Sequence, residues 1–213
     1  MKDIKAIVFD LGGVLVELNG IVPMLQWSEL NLDEKTLWQH WLYSPNVRAF
    51  ETGNLSAIEF AEQIVNEMQL SVSAQQFLEA FKTWPTGLFA GVTDLLPLLR
   101  KDFTLACLSN TNTLHWQLLM EDMGLGNHLD HTFASHLINK IKPDPDIFVH
   151  VIEALAMTPE QILFYDDNQI NVDSAREFGM QAELVKGVDQ IIAHLNKQGL
   201  ALSFNGPVAN PGK

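Results

Sequence analysis

With a single cysteine, Cys107, the chain has no partner for an intrachain disulfide, and a lone thiol inside the apolar run Leu105–Leu108 suits a reducing cytoplasm. Positive charge is scarce too: Lys and Arg number 13 against 26 Asp and Glu, a formal net charge of −13. Such a field repels phosphodiester backbones, so no nucleic-acid partner is expected, and a phosphate ligand needs cations supplied locally. A membrane-length apolar run is also missing. The stretch from Met1 is broken by Asp10 and Gly12-Gly13, too short and too polar for a signal segment or a span, so no membrane partner and a soluble cytoplasmic protein are expected. No internal repeat is evident.

What the chain does have is alternation. Ile4 to Phe9 is nearly all apolar and β-rich, as a strand buried on both faces of a parallel sheet requires, and Asp10 follows at its carboxyl end. The same grammar recurs at Phe103–Leu108, ending in Ser109-Asn110, and at Gln161–Tyr165, ending in Asp166-Asp167. Helical patterns lie between them at Gly91–Lys101, Thr113–Met123, Pro145–Ala156 and Ile170–Phe178. Strands alternating with helices indicate an α/β fold, a Rossmann-like parallel sheet flanked by helices, in which ligands bind beyond the carboxyl ends of the strands.

One stretch breaks the alternation. From about Glu17 to Trp84 the chain reads as helices at Ile21–Leu30, Asp33–Leu42, Ser56–Met68 and Ser73–Phe81, with caps at Asp33, Ser56 and Ser73 and a capping box from Ser56 to Glu59. The expected organisation is a core of residues 1–16 and 85–199, a small helical insertion of residues 17–84 able to lie as a lid over the strand ends, and a loosely held tail, 200–213, of turn-forming residues.

Four short polar signatures mark the strand and helix boundaries in order: Phe9-Asp10-Leu11-Gly12-Gly13-Val14, Leu108-Ser109-Asn110, Lys142-Pro143-Asp144-Pro145, and Tyr165-Asp166-Asp167 with Asn171, Ala175 and Gly179. In that order they resemble the four motifs of the haloacid dehalogenase-like hydrolase superfamily with a helical cap after the first motif. The resemblance spans roughly residues 4–195. It implies that Asp10 is a nucleophile attacking phosphorus to form an aspartyl-phosphate, a step that splits one hard displacement into two. Attack of one anion on another needs neutralising, so Mg2+ is the expected cofactor, held by Asp10, Asp166, Asp167 and the Gly12 backbone carbonyl. Ser109 and Asn110 are expected to donate hydrogen bonds to phosphate, and Lys142 to clamp the transferring group with a point charge. Lys140 lacks the flanking Pro-Asp-Pro and gets no role, while Asn171, at a position often acidic in the family, is expected to orient a metal-bound water.

The departure from the pattern is Gly12. The common first motif carries a second aspartate there, which protonates the leaving group and later activates water; its loss costs about 10²–10⁴ in rate unless replaced. A subgroup of bacterial sugar-phosphate phosphatases resembling this chain, the α-D-glucose-1-phosphate phosphatase-like enzymes, also carries Gly there and stays active, and has a Ser-Asn-Thr-Asn run similar to Ser109–Asn112. His115 is the first candidate for replacing the acid, although a structural histidine is the commoner case. A left-handed backbone at Gly12 is one reason for glycine there. Trp38 and Trp41 read as a shared core face of the insertion. His128, His131 and His136 match no metal-ligand pattern.

The function expected is hydrolysis of a small phosphorylated metabolite, a sugar phosphate by the resemblance. Its rivals are a metal-independent 2-haloacid dehalogenase, which needs no second aspartate, a catalytically impaired phosphate-binding protein, and a phosphomutase, which fits Gly12 less well.

Overall fold

The computed structural model describes residues 3–200. In chain order it contains β1 (Ala6–Phe9), β2 (Val16–Leu18), α1 (Ile21–Trp27), α2 (Glu34–Tyr43), α3 (Pro45–Glu51), α4 (Ala57–Glu67) and α5 (Ala74–Phe81). There follow β3 (Pro85–Leu88), α6 (Val92–Leu99), β4 (Thr104–Ser109), α7 (Thr113–Gln117), β5 (His131–Ala134), α8 (Ser135–Ile138) and α9 (Pro145–Leu155). Last come β6 (Ile162–Asp166), α10 (Gln169–Glu177), β7 (Gln181–Leu184) and α11 (Gly187–Lys197). The tail beyond Leu200 falls outside the described residues. No helix among them is long and apolar enough to cross a membrane.

Five strands form one sheet in the order β5-β4-β1-β6-β7, every neighbouring pair parallel. Strand period two sends Ile7 and Phe9 to one face, with Leu105, Cys107, Leu163 and Tyr165, where α6 and α11 cover them. Ala6 and Val8 go to the other face, with Ala106, Leu108 and Phe164, under α9 and α10. Because both faces are covered, the interiors of β1, β4 and β6 are apolar, and each turns polar at its carboxyl end. The chain runs outward from β1 through β4 to β5, then returns to the other side of β1 for β6 and β7. Asp10 therefore stands at the point where strand order reverses, the place where such sheets bind ligands.

The helices α1 to α5 have a core of their own, built on Trp41, Phe50, Phe60, Phe77, Phe81 and Trp84. Trp41 packs on Trp84, Phe81 and Phe60 at ring separations of 4.9, 5.9 and 6.0 Å. Trp38 does not share that core: it lies on the solvent side of α2, 41% exposed, because the two tryptophans sit three positions apart on a helix whose buried stripe is narrow. Capping boxes at Ser56 and Ser73 start α4 and α5. The two chain segments joining these helices to the sheet, β2 and β3, pair antiparallel as a two-stranded ribbon. The Thr113–Met123 helix is not continuous α-helix, since α7 gives way at Leu118–Asp122 to one wide π-helical turn. The short α3 has no counterpart in the sequence reading, nor do β5, β7 and the ribbon.

Candidate active site

Parallel register brings the polar strand ends level. The Asp10 N–H donates to the Tyr165 carbonyl at 2.8 Å, which holds the first residue past β1 beside the end of β6. Lys142 reaches in from the loop before α9, its side chain buried, and donates from Nζ to Asp10 Oδ1 at 2.9 Å and to Asp166 Oδ2 at 2.7 Å. Lys140, by contrast, lies at the surface paired with Asp146.

Asp166 is fully buried and both of its oxygens accept hydrogen bonds. Oδ1 takes the Asn168 N–H at 2.8 Å and the Asn171 amide at 3.0 Å, while Oδ2 takes Lys142. Asn171 thus orients Asp166. Asp10, Asp166 and Asp167 can present three carboxylate oxygens within 4.8 Å of one another, a hard all-oxygen donor set that fits Mg2+. Burial, together with Asp166 and Asp167, raises Asp10 to about 7 despite Lys142 beside it. Asp167 stands at the rim, and loss of water on its inner side, together with the Asp166 charge, raises it to about 6. Carboxyls lifted by burial and then by each other's charge are what a site holding a cation looks like from the protein side. The Gly12 carbonyl takes part in no hydrogen bond among the described residues.

Two adjacent glycines do different work. Gly13 carries φ +73°, and a Cβ there would fall 2.1 Å from Asp167 Oδ2, so Gly13 makes room for that carboxylate. Gly12 is not in the left-handed region; a Cβ there meets only the end of the exposed Leu18 side chain, at 2.7 Å. Backbone strain is therefore not the reason for glycine at position 12.

Ser109 is buried at the end of β4. Asn110 next to it spends its side chain on the motif that follows: Oδ1 accepts from the Lys142 N–H and Nδ2 donates to the Lys142 carbonyl, both at 2.9 Å. One Nδ2–H and the backbone N–H of Asn110 are left for a phosphate.

His115 is a fastener between the helical insertion and the sheet. Its Nε2 lies 2.7 Å from the Phe81 carbonyl and its Nδ1 3.2 Å from the Asn112 amide, so both nitrogens are occupied when Nε2 carries the proton. Burial lowers it to about 4. A neutral imidazole with both nitrogens engaged has no proton to give a leaving group, which removes His115 as the substitute acid.

Sequence reasoning missed Glu51, the last residue of α3. Its carboxyl lies near enough to Lys142 and Asp10 to feel both charges, and burial is the main reason it rises to about 8. The signal for α3 was Ser44-Pro45, an N-cap followed by a first-turn proline.

The haloacid dehalogenase-like hydrolase profile matches residues 4–179. A D-ribitol-5-phosphate phosphatase of Bacteroides thetaiotaomicron is 28% identical over 84% of this chain and 90% of its own. The phosphatase MT3486 of Mycobacterium tuberculosis is 29% identical over 96% of this chain and 99% of its own. A HAD family enzyme of Bacteroides thetaiotaomicron, solved in complex with magnesium and inorganic phosphate, superposes with a TM-score of 0.69 at 26% identity, covering 86% of this chain and 94% of that one. With the parallel sheet, the four polar strand-end signatures and this match over most of its length, the chain belongs to the haloacid dehalogenase-like hydrolase family.

Proposed function

We propose that this chain is a Mg2+-dependent phosphatase of a small phosphorylated metabolite, a sugar or polyol phosphate, working through an aspartyl-phosphate on Asp10, with residues 17–84 as its cap. The observation that carries the reading is the buried Asp10–Lys142–Asp166 bridge with Asp167 at its rim: a carboxylate oriented by a fixed cation beside a hard-metal donor set. The phosphatase relatives and the magnesium–phosphate complex support it.

Asp10, Asp167 and the Gly12 carbonyl would hold the metal, with Asp166 behind them. When bound, the dication neutralises charge so that carboxylate and phosphate can meet. Lys142 holds the Asp10 carboxylate in its attacking orientation through Oδ1, leaving Oδ2 for phosphorus. Ser109 Oγ and the Asn110 N–H donate to the transferring oxygens, and the cap limits water.

A panel of phosphorylated metabolites assayed for released phosphate, with Mg2+ and with chelator, tests this. Turnover should require Mg2+, and Mg2+ affinity should tighten from pH 5.5 to 8, because Asp10 and Asp167 must lose protons to bind it. Metal-independent chloride release from chloroacetate would select the dehalogenase reading instead. Phosphate binding without turnover would select the non-catalytic one. Gly13→Ala should behave like loss of Asp167, weakening Mg2+ by about 10–100-fold, since its methyl displaces that carboxylate. An unchanged Mg2+ titration in folded Gly13→Ala would take Asp167 out of the metal shell.

A further inference from the structure

We propose that Glu51 is the proton donor to the leaving oxygen, supplied by the helical insertion in place of the carboxyl that position 12 lacks. The inference rests on the phosphatase reading above and concerns how that reaction is completed.

The end of α3 is clamped over the strand ends at three points. Arg48 pairs with Asp144, two residues from Lys142. Asn54 donates to Asn139 at 3.3 Å. Gly53 lies so close to the sheet domain that a Cβ would come 2.9 Å from the His136 carbonyl. Glu51 sits between these anchors, partly buried, with its carboxyl in range of Lys142 and Asp10 and in no hydrogen bond or ion pair among the described residues. A carboxyl held in place, partly enclosed and without a structural partner is free to serve a ligand.

Direction supplies the rest. In-line displacement puts the leaving oxygen on the side of phosphorus opposite the attacking Asp10 oxygen. Asp10 stands at the carboxyl edge of the sheet, and the end of α3 is anchored to the loops of that same edge, so a leaving oxygen directed away from Asp10 faces the side where Glu51 lies. The other acids near phosphorus are committed: Asp166 to Lys142 and Asn171, Asp167 to the metal. With its carboxyl raised to about 8, Glu51 carries its proton at neutral pH.

The step balances. As the Asp10 oxygen bonds to phosphorus, the bond to the leaving oxygen breaks, its electron pair takes the Glu51 proton, and an alcohol departs. Water then attacks the aspartyl-phosphate from the same side, losing a proton to the Glu51 carboxylate. Phosphate leaves, and Asp10 and Glu51 return to their starting states.

The test compares wild type with Glu51→Gln on p-nitrophenyl phosphate, whose leaving group needs no proton, and on the sugar or polyol phosphate that the panel ranks first. Glu51→Gln should lower kcat/KM for the alkyl ester by about 10²–10⁴ while leaving kcat/KM for p-nitrophenyl phosphate within about threefold. Its kcat on p-nitrophenyl phosphate should fall, with acid-stable labelled phosphoenzyme accumulating, because water has lost its base. Glu51→Ala should give the same split, and melting temperatures check folding. Equal losses of kcat/KM on both esters, or none on either, overturn Glu51 as donor and leave the phosphatase intact. A wild type that cleaves only p-nitrophenyl phosphate also overturns it, since no proton donor is then at work. Phosphate release from neither ester by wild type removes the underlying reading.

Discussion

Asp10→Asn should abolish turnover, by about 10⁴-fold or more, and should at the same time raise the melting temperature of the metal-free protein. The loss follows from chemistry, since a neutral amide cannot displace an alkoxide from phosphorus. The gain follows from electrostatics. Burial and the neighbouring Asp166 and Asp167 lift Asp10 to about 7 from an ordinary 3.8. A carboxyl whose folded-state value lies above its unfolded one contributes stability at low pH that is lost as pH rises through that window, here from about 4 to about 7. At pH 8 the whole penalty is present. Asparagine keeps the volume and imitates the uncharged acid, while Lys142 retains Asp166. The variant should therefore melt above wild type at pH 8, with the difference shrinking toward pH 4, and Mg2+ should stabilise wild type but scarcely the variant. Calorimetry with a phosphate-release assay reads both effects. Appreciable turnover by folded Asp10→Asn would remove the phosphoenzyme. A melting temperature below wild type at pH 8 would mean that the Lys142 ion pair outweighs the cost of burying the carboxylate beside Asp166 and Asp167.

The proposed nucleophile was legible because its signal is local. An apolar run that ends in Asp10 dictates a buried strand and a carboxylate at its tip, and the same rule found Ser109 and Asp166. Parallel pairing then did the assembling, since a sheet with every strand aligned must collect its polar ends at one edge. Features that depend on how separate pieces meet were not legible. Asn110 also ties the Lys142 loop to the end of β4 through its amide, a role that only the fold shows. His115 reads as a spare acid until Phe81, far away in sequence, accepts from its ring. Glu51 ends a seven-residue helix too short to show a period, and its relation to Asp10 exists only once the insertion has folded back over the sheet. The short β7, with a single buried residue among four, carries no strand pattern to read.

Lys142→Met should cost both activity and stability, unlike the rate-only loss that a solvent-facing clamp would give. The side chain is buried and its ammonium bonds two carboxylates, one of them fully enclosed. Burial alone would push the lysine down; Asp10 and Asp166 reverse that and hold it above the usual lysine range. Removing one partner of a buried ionic set leaves the others uncompensated, a loss of about 3–5 kcal/mol. For a chain of this size that is a fall in melting temperature of roughly 10 °C. Methionine fills the space, so packing is not the cause. Loss of a charge poised over the transferring group should lower kcat/KM by about 10²–10³ as well. Mg2+ should return part of the stability, because a dication among the same carboxylates replaces the missing charge, but little of the rate, because Asp10 then has nothing to fix its orientation. Lys140→Ala is the control: its exposed pair with Asp146 is worth at most about 1 kcal/mol, and its removal should leave kcat/KM and melting unchanged. Should Lys140→Ala be the damaging change and Lys142→Met silent, the buried bridge would not be the working part of the site. The two variants at the bridge make opposite claims on stability, since Asp10→Asn removes surplus negative charge and Lys142→Met removes the cation that offsets it. Burial of Asp10 in a cluster short of positive charge predicts both.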